Sequence, residues 1–156
     1  MIFIIINIII NLTFDTIYWT GTICEYKLDN SKEEYKWKIK ILKSKTKNIM
    51  VGAAPIDFDI NYSSYNTFGW YLHCHYNYNH PSLFSGPPYN YSCKSTYLNK
   101  VKDEIIIALN MKRRTLKFII DNEDKGESYS NIPIDKPIYP VVLLYDKDDS
   151  VEIVKC

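Results

Sequence analysis

Between Ile105 and Ile120 apolar side chains recur at every second position, interrupted once by a short basic stretch. Ile105, Ile107 and Leu109 precede Met111-Lys112-Arg113-Arg114-Thr115, and Leu116, Phe118 and Ile120 follow it. In extended backbone alternate residues share a face. Two such apolar rows joined by a charged tip describe a β-hairpin laid against a core. A helix is the competing reading. Val101, Ile105 and Leu109 are four apart, Asp103 and Glu104 would sit in a first turn, and Gly126 could end it. Against it stands the run Ile105-Ile106-Ile107, whose branched side chains are stiff and favour strands. Asp121 to Gly126 reads as a polar turn closing this region.

The remainder of the chain repeats the strand signal. Tyr35, Trp37, Ile39 and Ile41 alternate with Lys36, Lys38 and Lys40, a strand with one side buried and one in water. Those lysines, with Lys43, Lys45 and Lys47, could suggest nucleic acid. The net charge of +1 supplies no field to draw a polyanion or an anionic membrane, so a solvated outer face is expected. Further strands are read at Tyr18–Ile23, Asn48–Pro55, from Gly69 through Leu72, Val141–Tyr145 and Val151–Val154, with Tyr129–Ile134 leading into the fourth of these. The turn Asp146–Ser150 separates the last two. Ile56–Phe68 and Tyr76–Tyr91 read as loops.

The first twelve residues are apolar and rich in Ile, broken only by Asn7 and Asn11. This run is shorter than the roughly 20 apolar residues that span a bilayer, and the first basic residue is Lys27. A buried or edge strand is the expectation, with a signal-like segment or an atypical start as the alternatives. Two segments follow: an apolar one over 1–17 and a folded domain over 18–156. At 156 residues with 46% hydrophobic content, the chain can enclose one core. Its four cysteines, at 24, 74, 93 and 156, form no paired spacing, which fits free thiols in a reducing, cytoplasmic setting. Short strands with regular turns and no long helix imply an antiparallel sandwich.

Several short motifs, taken in order, resemble one family. Trp37-Lys38-Ile39-Lys40-Ile41 looks like the Tyr-Trp-Glu-Val-x-Ile strand of SPRY domains, the interaction module of TRIM, SOCS-box and Ran-binding-protein families. Val51-Gly52-Ala53-Ala54 is similar to Val-Gly-Val-Ala, Gly69-Trp70 to Gly-Trp, and Ser85-Gly86 to its small turn. Lys102-Asp103-Glu104-Ile105 resembles Gly-Asp-x-Ile, Thr115-Leu116-Lys117-Phe118 resembles Thr-Leu-x-Phe, and Tyr139-Pro140-Val141-Val142 resembles Tyr-Pro-x-Val. Asn122 to Gly126 falls at the family's Asn-Gly…Gly turn. The resemblance implies a bent antiparallel β-sandwich of the concanavalin-like jelly-roll type and decides for the hairpin. Glu123 stands where Gly is common, and a type I′ turn needs positive φ at both central residues. A looser turn at Asn122-Glu123 is therefore expected.

No enzyme signature is present: no phosphate-binding Gly loop with Lys, no nucleophile elbow and no HExxH helix. His73-Cys74-His75, with His80 and Cys93, has metal-ligand residue types without the paired spacings of structural zinc sites. Asp146, Asp148 and Asp149 lack the Gly and distal Glu of a calcium loop. Asp57 and Asp59 could pair for catalysis, yet neighbouring carboxylates on a loop are more often simply polar. Neither a cofactor nor a metal is expected. The resemblance implies a monomeric, non-catalytic module that binds a short peptide or loop of a partner protein, with the recognition part of a ubiquitin-ligase type assembly as one setting for it. Its ligand surface would combine Asp57, Phe58, Asp59, Tyr62 and Tyr65, in the loop after the Gly52 strand, with Tyr145, Asp146 and Lys147. A third contributor would lie before the Trp37 strand, near Tyr18. The tyrosines would give flat contact surface, and Asp57 and Asp146 would select polar or basic groups. The alternative is a secreted carbohydrate-binding sandwich, to which the sequons at Asn11, Asn61 and Asn90 would be relevant.

Overall fold

Strand-forming residues dominate wherever the structure, a computed structural model, describes the chain: residues 7–11, 20–24, 28–29, 31–55, 69–74, 82–84 and 103–155. Among these residues the regular elements are all strands. They are β1 (Asn7–Asn11), β2 (Thr20–Ile23), β3 (Glu34–Lys43), β4 (Ile49–Pro55), β5 (Trp70–His73) and β6 (Ser82–Phe84). β7 (Glu104–Asn110), β8 (Thr115–Ile120), β9 (Glu123–Tyr129), β10 (Ile138–Leu144) and β11 (Ser150–Lys155) complete the series. One sheet runs β1-β11-β3-β7-β8-β9 and the other β2-β10-β4-β5-β6, with antiparallel pairing throughout.

The six-stranded sheet is wet on one face, and its sequence alternates for that reason. Register carries the inner face across strands: Ile153, Ile39, Ile105 and Ile120 form one row, and Trp37, Ile107 and Phe118 another. Tyr35, Leu109, Leu116 and Tyr129 make a third, closed by an edge contact of the Phe118 and Tyr129 rings at 6.4 Å between centroids. All these side chains are buried. Each large apolar one removed from water contributes about 1.5–3 kcal/mol before the entropy of ordering it. On the outer face Lys36 pairs with Glu34 at 3.0 Å, Lys38 with Glu104 at 2.9 Å and Lys40 with Glu152 at 3.6 Å. The lysine row is therefore a solvated face with its charge balanced by carboxylates on its own strand and on both neighbours.

In the five-stranded sheet β4, β5 and β10 are buried on both faces. Every residue of β4 is buried, and β10 is nearly so. Val51, Ala53, Trp70, Leu72, Val142 and Leu144 enter the main core. Met50, Ala54, Tyr71, Val141 and Leu143 form a second cluster, against which Tyr145 packs half-buried. Continuous apolar runs such as Ile49-Met50-Val51 and Val141-Val142-Leu143-Leu144 are what such a sheet requires.

Three local expectations are corrected. Ser82–Phe84, inside the stretch Tyr76–Tyr91 expected to be loop, pairs with β5 as strand β6. The segment read as a polar turn contains only a two-residue turn, Asp121-Asn122, because Ile120 and Glu123 are already paired. Asp121 has φ 49° and Asn122 φ 69°, the positive values of a tight type I′ hairpin, so the turn is not loose and is not centred on Glu123. Asp and Asn tolerate this left-handed conformation better than most residues. Glu123–Tyr129 then continues as an edge strand, with Gly126 at φ 75° inside it.

Candidate interaction surface

β10 leaves its ladder where Leu144 faces Ile49, which sets the β10–β11 turn, Tyr145–Asp149, beside the β3–β4 loop, Ser44–Asn48. The two connections brace each other. The Thr46 hydroxyl donates to a carboxylate oxygen of Asp146 across a hundred residues of sequence. Within the turn the Asp146 N–H donates to Asp149 Oδ2 at 3.1 Å, and the Asp149 N–H donates back to the Asp146 carbonyl at 3.1 Å. Asp148 takes φ 67° to let the chain reverse, and its carboxylate meets Lys43 Nζ at 3.6 Å. On the facing loop the Lys47 N–H donates to Ser44 Oγ at 2.9 Å and the Asn48 N–H to Thr46 Oγ1 at 3.2 Å.

Asp149 is the electrostatic anomaly of this end. It is only 1% exposed, and its Oδ1 meets no hydrogen-bond partner among the described residues. Burial pushes its carboxyl above the ordinary value of 3.8. The Ser44 hydroxyl and the N–H groups of Asp146 and Tyr145 pull it back, and the nearby Asp146 charge adds to the rise. On the β3–β4 loop, Asn48 Oδ1 lies 2.8 Å from His73 Nε2, and Lys47 Nζ lies 3.8 Å from Asp103.

The predicted binding residues divide. Tyr145 is half-buried on the second apolar cluster, Asp146 is a brace to Thr46, and Lys147 is exposed at the turn's tip. Asp57, Phe58, Asp59, Tyr62 and Tyr65 lie outside the described residues, as does Tyr18. The anchors of the loop that carries the first five are described. Pro55 faces Ile138, and Gly69 precedes Trp70, which faces Ala53. Those anchors sit at the end of β4 opposite the Tyr145–Asp149 turn, about 20 Å away for a seven-residue strand. The Ser44–Asn48 loop is predicted from sequence to carry solvated lysines at 45 and 47 and a strand start at Asn48, with no bracing role. Its Ser, Thr and Asn, residues that bond their own backbone in turns, were the available signal.

Metal-type residues point apart. Cys74 is buried in the main core with its thiol pushed up to about 12, chiefly by burial, while its neighbour His73 is held by Asn48. Among the described residues no group of three or more His, Cys, Asp or Glu is arranged to hold a metal ion.

Two antiparallel sheets packed on one core, with a braced turn at one end, define a β-sandwich. The SPRY domain of human HERC1 superposes with a TM-score of 0.66 at 18% identity, covering 86% of this chain and 81% of that one. The TRIM65 PSpry domain gives 0.63 at 9% identity over 89% and 72% of the two chains. Stonustoxin gives 0.58 at 15% identity, over 88% of this chain and 22% of its own. No family model and no curated protein matches the sequence. In fold, the chain is a SPRY-like domain.

Proposed function

We propose that this chain is a non-catalytic protein–protein interaction module that grips a short peptide or loop of a partner. The likeness to SPRY domains supports the general reading, and the β10–β11 turn is the observation that carries it. That turn is fixed by reciprocal hydrogen bonds between Asp146 and Asp149 and by Thr46 before any partner arrives, so presenting Lys147 and Asp148 costs little ordering. Tyr145, Asp146 and Lys147 are its contact group on this side, and Asp57, Phe58, Asp59, Tyr62 and Tyr65 are those of the loop after β4. Because the anchors of the loop after β4 and the β10–β11 turn lie at opposite ends of β4, the partner is an extended segment or a folded surface with two contact points. In a ubiquitin-ligase type assembly such a module would supply recognition alone, in a cytoplasmic setting that keeps Cys24 and Cys74 reduced.

The test is affinity capture from lysate with mass spectrometry, comparing wild type with a Lys147→Glu/Asp148→Lys variant and a Tyr62→Ala/Tyr65→Ala variant. Asp146 is left intact because it braces Thr46. A protein retained by wild type and lost with either variant, each with an unchanged melting curve, is the expected result. Equal capture by all three overturns the assignment of these segments.

A further inference from the structure

The six-stranded sheet ends in two unlike edges. At the β9 edge Glu123, Asp124, Lys125 and Glu127 supply charge, and Gly126 takes φ 75°. The register with β8 shifts at Leu116/Lys117 and again at Lys117/Ile119. Charge, glycine and broken register are how sheets blunt an edge against association. The β1 edge has none of these. Asn7-Ile8-Ile9-Ile10-Asn11 carries no charge, no Gly and no Pro, and keeps unbroken register with β11 over its whole length. Ile9 is 59% exposed, the most exposed large apolar residue described. Among the described residues no strand pairs with the outer side of β1.

This strand also reads the same in both directions. Two identical strands paired antiparallel are related by a two-fold axis, which brings residue i of one opposite residue j of the other and the reverse. Centred on Ile9, the pairing sets Ile9 against Ile9, Ile8 against Ile10 and Asn7 against Asn11. No position meets an unlike one, and no like charges oppose each other at the axis. One strand inward, the Glu152 carboxylate is compensated by Lys40 at 3.6 Å, so two copies approach without uncompensated charge beside the seam.

We propose that β1 is an isologous seam at which a second copy of this chain adds its own β1, antiparallel and centred on Ile9, joining two six-stranded sheets into one. The palindrome is what selects a second copy over a foreign strand. The sequence alone suggests a monomer; an edge exposed at Ile9 and unpaired among the described residues points to a concentration-dependent dimer. Five paired residues are a small contact beside the roughly 800 Å² per partner of a standard interface, so the dimer forms at the upper end of the concentration range.

Sedimentation velocity of the full chain from about 1 μM to about 500 μM tests this directly. Wild type is expected to pass from monomer to dimer within that range. Ile9→Lys sets two like charges opposite each other at the axis and should raise the dissociation constant by at least about tenfold, with the monomer's melting curve unchanged. Ile9→Cys gives a register-specific readout. Opposed residues of an antiparallel pair have Cα atoms about 4.5–5.5 Å apart, within disulfide range. With oxidised glutathione as oxidant, the two introduced thiols should join into one covalent dimer whose linked peptides both contain position 9. A wild-type chain that stays monomeric throughout overturns the proposal and leaves the edge to a strand from another protein. A dimer indifferent to Ile9→Lys, or an Ile9→Cys chain that cross-links no more than wild type, overturns it equally.

Discussion

The backbone of Gly52 passes so close to β5 that a Cβ there would fall 1.9 Å from the Trp70 carbonyl oxygen. No side chain fits that gap, and the obstruction is backbone, which cannot rotate aside. Gly52 faces Tyr71 in the ladder, so any shift would disturb the pairing that carries Trp70 into the core. Gly52→Ala should cost at least about 2 kcal/mol, read as a lowered urea midpoint, by the cost of overpacking a tight interior. A midpoint equal to wild type would mean that β4 and β5 are farther apart than described.

Trp70 is among the largest buried side chains of the described residues, at 1% exposure. Trp70→Ala should cost about 3–5 kcal/mol, since the surrounding strands cannot collapse fully into the space. Trp70→Phe, which leaves a smaller void, should lose less. The two variants together separate a cavity from a local unfolding, because only a cavity scales with the volume removed.

The Asp121-Asn122 turn gives a gain rather than a loss. Both residues hold positive φ, and Asp-Gly is a preferred pair for such a turn. Asn122→Gly should raise stability by a few tenths to about 1 kcal/mol, and Asn122→Val should lower it by about 1–2 kcal/mol. Asp121 is best left alone, since its Oδ1 accepts from the backbone N–H groups of Asp103 and Glu104, each at 3.3 Å. Urea denaturation of the pair checks both signs at once.

These positions also show what the sequence makes visible. The alternation from Tyr35 to Ile41 is legible because one face of β3 is wet and the other packed. β4 and β10 do not alternate because both their faces are buried, and they are recognisable only as apolar, branched runs between turn residues. β9 was missed for the opposite reason. Its residues from Glu123 to Glu127 stand in or near solvent, and pairing with β8 makes it a strand without any apolar row. At the candidate surface, Tyr145 has the composition of a contact residue, but a neighbouring apolar cluster takes much of its side chain. The bond from Thr46 to Asp146 had no local signal, since it depends on Leu144 pairing with Ile49.

Asp149 supplies a pH test of the braced turn. Its folded-state carboxyl lies above 3.8, so the native chain holds that proton more tightly than the unfolded chain. Stability then falls as pH rises from below 3.8 through the raised folded value, where ionisation leaves a desolvated charge. Asp149→Asn keeps an oxygen able to accept the Asp146 N–H and removes the titration. Relative to wild type, the variant should gain stability between about pH 3 and about pH 7, measured by urea midpoints across that range. Groups common to both proteins, the Lys117–Asp124 pair at 2.6 Å among them, cancel in the comparison. Parallel curves would show that Asp149 is as well solvated or as well paired as an ordinary carboxylate, and the burial argument would fail. If the variant instead loses stability equally at every pH, the carboxylate's role is geometric, and the turn depends on its two acceptor oxygens rather than on its charge.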